Sequence, residues 1–127
     1  MNLEKVIFSF FMILALTLNF GFFYGDVDNP EHHNIYELYG VIVVNMIATV
    51  LKFGDRSQMG AMLLATSLVA VVQLISASIV WTVAVHVHET GLTSAVMSTI
   101  VSLSGGAMLA NIISVILLMI EAAMLRH

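Results

Sequence analysis

Acid and imidazole side chains gather in two short stretches of this sequence. Asp26, Asp28, Glu31, His32 and His33 fall in one, and His86, His88 and Glu89 in the other. Neutral imidazole beside carboxylate is a donor set for Zn²⁺ or another first-row divalent ion. Carboxylates with backbone carbonyls suit Ca²⁺ instead. Without a fixed ligand, the same groups make an acidic, pH-responsive mouth that concentrates cations, or a plain solvated face. The two-residue spacing of His86 and His88 brings both rings together only on extended chain. A divalent metal at this face is therefore the one cofactor to consider, and nothing in the sequence requires it. With no Cys in the chain, thiol chemistry and sulfur-ligated metals are excluded. Catalytic patterns are missing. His88-Glu89 begins like HExxH but lacks the second His, and neither a Gly-rich phosphate loop nor a GxSxG turn occurs. The sequence names no catalytic residue, and the reading is that this is not an enzyme.

The elements that must position those stretches are long and apolar. The 127 residues are 60% hydrophobic and 9% charged, against about 25% charged in an ordinary soluble domain. The net charge of -4 disfavours nucleic acid, which needs clustered Lys and Arg. Four apolar runs, about 6–24, 35–53, 59–85 and 92–125, predict four helices in one integral membrane domain spanning 1–127. The first is too long for a signal-peptide core and lacks a following small-residue cleavage site, so it reads as a retained helix. Lys5, Lys52, Arg56 and Arg126 all fall at one end of such a bundle, and the acid and His stretches at the other. By the positive-inside rule the basic end, with both termini, is expected to be cytoplasmic.

Inside the runs, small residues recur in the fourth. Ser94, Ser98, Ser102, Gly106, Ala110 and Ser114 repeat every four positions, continuing Thr90. Such a row lets helix backbones approach closely. It drifts ~40° per step on an ideal helix, so one neighbour cannot cover all of it. Packing inside one bundle, a subunit interface and a pore lining all remain open. Each helix also carries one carboxamide, Asn19, Asn45, Gln73 or Asn111, and each is expected to point inward because lipid leaves its polar atoms unpaired. Glu37, Val41, Asn45, Ala48 and Lys52 share one face of the second helix; Thr66, Ala70, Gln73 and Ala77 share one face of the third. The fourth run would reach ~51 Å as a straight helix, well beyond ~30 Å of hydrocarbon. It must tilt, project, or be kinked or broken, and Ser104-Gly105-Gly106 is where glycines make bending least costly. A short re-entrant helix before that bend is a further alternative, although no carbonyl-presenting filter string accompanies it. Glu121, in the last turns, reads as a surface acid near Arg126.

Three strings, Asn2-Leu3-Glu4-Lys5-Val6-Ile7-Phe8, Leu18-Asn19-Phe20-Gly21-Phe22-Phe23 and Val50-Leu51-Lys52-Phe53-Gly54-Asp55-Arg56, resemble a family of small proteobacterial membrane proteins of unknown function. The resemblance covers nearly the whole chain. It implies a bacterial inner membrane and supplies neither an activity nor site residues.

The expectation is thus an all-α, four-helix transmembrane bundle in a lipid bilayer, kinked or broken in its last helix and assembled as a homo-oligomer. Its expected role is cation channel-like, or that of a channel- or transporter-associated subunit in a larger transport complex. The alternative is a non-conducting scaffold, or a divalent-metal sensor using the outer His and acid cluster.

Overall fold

The computed structural model describes residues 3–25, 33–55, 57–87 and 91–125. Helix α1 runs Leu3–Phe23, α2 Ile35–Lys52, α3 Gln58–Thr82 and α4 Ser94–Leu125. A π-helical segment, Val83–Val87, prolongs α3 and was not foreseen from the sequence. The other boundaries fall within about three residues of those expected. All the regular structure in the described residues is helical, and all four helices are long and apolar enough to cross a membrane.

Local sequence explains where the helices start and stop. The side chain of Asn34 accepts from the Tyr36 N–H at 2.8 Å and opens α2. Ser57 does the same for α3 through the Gly60 N–H at 2.9 Å. At the end of α2, Phe53 N–H bonds Val50 C=O and Asp55 N–H bonds Lys52 C=O. Between them Gly54 holds φ +96°, a conformation that a side chain would strain. Five residues, 53–57, connect α2 to α3.

Packing is cyclic. α1 lies on α2, α2 on α3, α3 on α4 and α4 on α1. Phe22, Leu38, Val41, Leu74, Met97 and Val101 are fully buried along the axis, and a second group, Phe8, Met12, Ala48 and Leu63, fills the basic end. Large apolar side chains also stand outward on every helix, among them Phe10, Phe20, Val43, Val72 and Ile113. A surface this apolar suits lipid, in which helices gain from close packing and internal hydrogen bonds rather than from escape from water. Every Tyr and the single Trp (Tyr24, Tyr36, Tyr39 and Trp81) sit toward the end opposite the lysines, as amphipathic rings do at a headgroup boundary.

The length of α4 is resolved by projection. Lys5 pairs with Glu121, and Phe23, at the far end of α1, lies against Gly105. The first three turns of α4 therefore extend past α1, by roughly 15 Å, on the side of α3. No break exists at Ser104-Gly105-Gly106. α4 is continuous through it, which removes both the broken helix and the re-entrant pore helix. The glycines serve approach instead. A Cβ on Gly105 would lie 2.8 Å from the Phe23 ring, and one on Gly106 would lie 2.7 Å from the Gln73 amide. Both positions leave room for a neighbouring helix's side chain.

That assignment sets opposite signs for two substitutions. Gly106→Leu should lower the unfolding midpoint in detergent by an overpacking cost of about 1–3 kcal/mol. Gly40→Ala, where no neighbouring atom lies within 4 Å, should be neutral or stabilise by up to about 1 kcal/mol. Thermal unfolding followed by circular dichroism checks both.

Candidate functional site

Most of the acid and His cluster (Asp26, Asp28, Glu31, His32, His88 and Glu89) lies outside the described residues, as do Thr90, Arg56 and Arg126. His33 and His86 are described, and they differ. His86 is exposed in the π-helical segment. His33 is turned inward and 3% exposed; its Nδ1 meets the Phe22 carbonyl, and its ring lies 5.5 Å from that of Phe22. This imidazole packs against the end of α1. Among the described residues, no group of three His, Asp or Glu side chains is placed to hold a metal ion.

The small-residue row of α4 divides in two. Ser94 and Ser102 are exposed, and Ser98 is half-buried. Gly105 and Gly106 lie against Phe23 and Gln73, while Ala110 and Ser114 are buried. Ser114 Oγ exchanges a hydrogen bond with Thr66 Oγ1 of α3. The lower half is therefore intrabundle packing, and the upper half belongs to the projecting turns. The drift of a four-residue repeat around the helix accounts for the division.

Asn19, Gln73 and Asn111 gather at one level of α4. Asn19 is fully buried. In the orientation its neighbours dictate, its amide nitrogen donates to the Ser104 carbonyl at 3.0 Å. Its oxygen accepts from Met108 N–H at 3.0 Å and from Asn111 Nδ2 at 3.2 Å. One side chain of α1 thus engages both ends of a single α4 rung, the Ser104 C=O and Met108 N–H four residues apart, directly over the glycine pair. Gln73 approaches the same rung from α3 through Gly106. Asn45 is fully buried on α2 and donates to Val41 C=O at 3.2 Å. The oxygens of Asn45, Gln73 and Asn111 are buried without a hydrogen-bond donor among the described residues. Each is an unmet acceptor of the kind that commonly costs 1–3 kcal/mol.

At the basic end the lysines do more than mark topology. A hollow of about 620 Å³ lies between the first turns of α1 and the α2–α3 turn. Lys52 is only 8% exposed; its ammonium lies 4.3 Å over the Phe8 ring and 3.4 Å from Asp55 Oδ2. Asp55 in turn accepts from Ser57 Oγ at 2.7 Å and Ser57 N–H at 3.0 Å. These bonds favour the ionised form and, with a smaller contribution from Lys52, hold the carboxyl below its ordinary value of 3.8. Gly60 leaves the space that this carboxylate occupies. Across the bundle, Lys5 Nζ lies 3.9 Å from Glu121 Oε1, so the ion pair described for Glu121 is with α1. The spacing Lys52-x-x-Asp55 next to Gly54 was the available signal for the turn. Nothing in the sequence pairs Phe8 with Lys52, which are 44 positions apart.

A ring of four membrane-length helices with a carboxamide clasp across its middle defines the class, a small helical membrane protein. Within that class, the chain belongs to a family of unknown function, DUF6394, which matches residues 32–122. No curated protein and no solved structure matches the chain.

Two outcomes follow from this geometry. Asn19→Ala removes three hydrogen bonds that tie α1 to α4 and should destabilise the bundle by about 2 kcal/mol, given ~0.6 kcal/mol for each such contact plus the vacated volume. Denaturant unfolding in mixed micelles measures it. Because the Asp55 pKa is depressed on folding, its contribution to stability is present above the unfolded value near 3.8 and is lost as pH falls through the lower folded value. Asp55→Asn should remove that pH dependence while leaving the rest of the acid-unfolding profile in place.

Proposed function

We propose that this protein is a non-catalytic membrane subunit, channel- or transporter-associated, which works by assembling with other chains and is not a pore on its own. The observation that carries the reading is the closed axis. Phe22, Leu38, Val41, Leu74, Met97 and Val101 leave no exposure along it, and the Asn19 clasp joins α1 to α4 across the middle. A conducting path inside one chain would need a wet lining, and these side chains interdigitate instead. Positive-inside bias supports a multi-pass topology with both chain ends on the cytoplasmic side, and a bacterial inner membrane is the setting the sequence resemblance supplies.

A second reading has its own observation. Ser94, Thr99 and Ser102 are exposed on the projecting turns of α4, so copies meeting there would place hydroxyls around a shared axis and pass cations between subunits. The outer acids and His residues would then serve as a cation-attracting vestibule, or as a divalent-metal site in a sensing role.

Protein-dependent K⁺ and Na⁺ flux in liposomes separates these readings. The first predicts flux equal to the protein-free control and no disulfide-linked dimer from Ser102→Cys, in a chain with no other thiol. Flux that falls when Asp26, Asp28 and Glu31 are neutralised, together with efficient Ser102→Cys cross-linking, would replace it with the second.

A further inference from the structure

The hollow at the basic end has the attributes of a ligand site. Among the described residues, its walls carry two cations, Lys5 and Lys52, and two carboxylates, Glu4 and Asp55, beside the apolar Phe8 and Leu51. A smaller hollow of about 80 Å³ shares Lys5, Phe8 and Lys52 and leads on toward Glu121. A lysine at a helix end ordinarily extends its ammonium into water. Lys52 does not, and it is retained at 8% exposure on the wall of this hollow. Its three N–H donors are met in the structure by one long bond, 3.4 Å to Asp55, and by the face of Phe8. Lys5 is 46% exposed and only loosely paired with Glu121 at 3.9 Å, so it is free to swing toward the same space.

Both signs of charge in one hollow select a ligand that carries both. A purely anionic group would meet Asp55 and Glu4 as well as the lysines, and a purely cationic one would meet the lysines. The position of the hollow supplies the rest. It opens where Val50 and Leu51, both exposed, begin the apolar outer face of α2. A ligand seated there has its polar part among the charges and an apolar part along that face. We propose that the hollow binds the headgroup of a zwitterionic phospholipid bearing a primary ammonium, an ethanolamine-type lipid, with its phosphate on Lys5 and Lys52. The ammonium donates toward Asp55 on the rim beside Glu4, and an acyl chain lies along Val50 and Leu51. Charge-assisted bonds from lysine to phosphate and from ammonium to carboxylate account for both polar contacts. A choline headgroup lacks N–H donors and forfeits the second of them.

Full-length protein, delipidated in mild detergent, is titrated with dioleoyl phosphatidylethanolamine, phosphatidylcholine or phosphatidylglycerol. Thermal midpoint and lipid retention by native mass spectrometry are read together. The proposal predicts one retained ethanolamine lipid per chain and a rise of several degrees in midpoint, with little effect from the choline lipid. Lys52→Met should weaken retention by about tenfold. Lys5→Gln, a surface change that leaves folding intact, should weaken it by severalfold, and Asp55→Asn should reduce the preference over choline. Equal stabilisation by choline and ethanolamine lipids, or stronger retention of phosphatidylglycerol, would overturn the headgroup assignment. Saturable binding of water-soluble glycerophosphoethanolamine at the lipid's own affinity would overturn the lipid, in favour of a free phosphodiester.

Discussion

An amide in the middle of an apolar bundle has no water to turn to, so its bonds must come from another helix. Asn19 meets that constraint by gripping the backbone of α4 at Ser104 and Met108 and the side chain of Asn111. Much of the architecture follows from this contact. It fixes the rotation of α1 against α4 and sets the level at which Phe23 closes over Gly105. It also leaves the first turns of α4 projecting beyond α1. The glycine pair is what allows the approach. A helix gives up propensity at two adjacent glycines, and here the return is contact with Phe23 on one side and Gln73 on the other.

Much of this fold was legible before any coordinates. Apolar run length located α1 to α4, and the lack of partners in lipid predicted the inward turn of Asn19, Asn45 and Asn111. The shared face of α2 is buried as expected from Val41 through Lys52, with Glu37 half-buried against Gly21 of α1. What the sequence could not supply were relations between distant positions. Gly105-Gly106 reads equally as a hinge or a groove, and only the presence of Phe23 and Gln73 shows the groove. The row from Ser94 to Ser114 reads as one stripe, yet it is half projecting surface and half packed interior. The π-helical segment at Val83–Val87 holds three valines and a histidine, weak helix formers that do not by themselves specify a π turn.

The candidate site was less legible, for a physical reason. Acid and His residues advertise chemistry by type, so attention falls on Asp26 through His33 and on His86 through Glu89. Of those described, His33 spends its imidazole on the Phe22 carbonyl and packs against the core. The lysines were read only for the side of the membrane they mark. Lys52 acquires another character once Phe8 and Asp55 surround it. The two ends of the bundle consequently have different chemistry, with aromatic rings at one and a mixed-charge hollow at the other. A closed middle, apolar except for its hydrogen-bonded carboxamides and hydroxyls, separates them. The closure of that middle is what the proposed role as an assembling subunit rests on.

The central claim is that α4 is one continuous helix held shut against α1 at the glycine pair. A thiol-accessibility scan from Ser98 to Ala110 tests it most directly, because the chain contributes no thiol of its own. Single cysteines would be challenged in intact membranes with an impermeant maleimide from either side. The account predicts labelling of the exposed Ser102 and protection of the buried Ser104, Ala107 and Ala110. Labelling of both Ser104 and Ala107 from the acidic end would contradict it, since water would then reach the middle of a helix that the structure describes as packed.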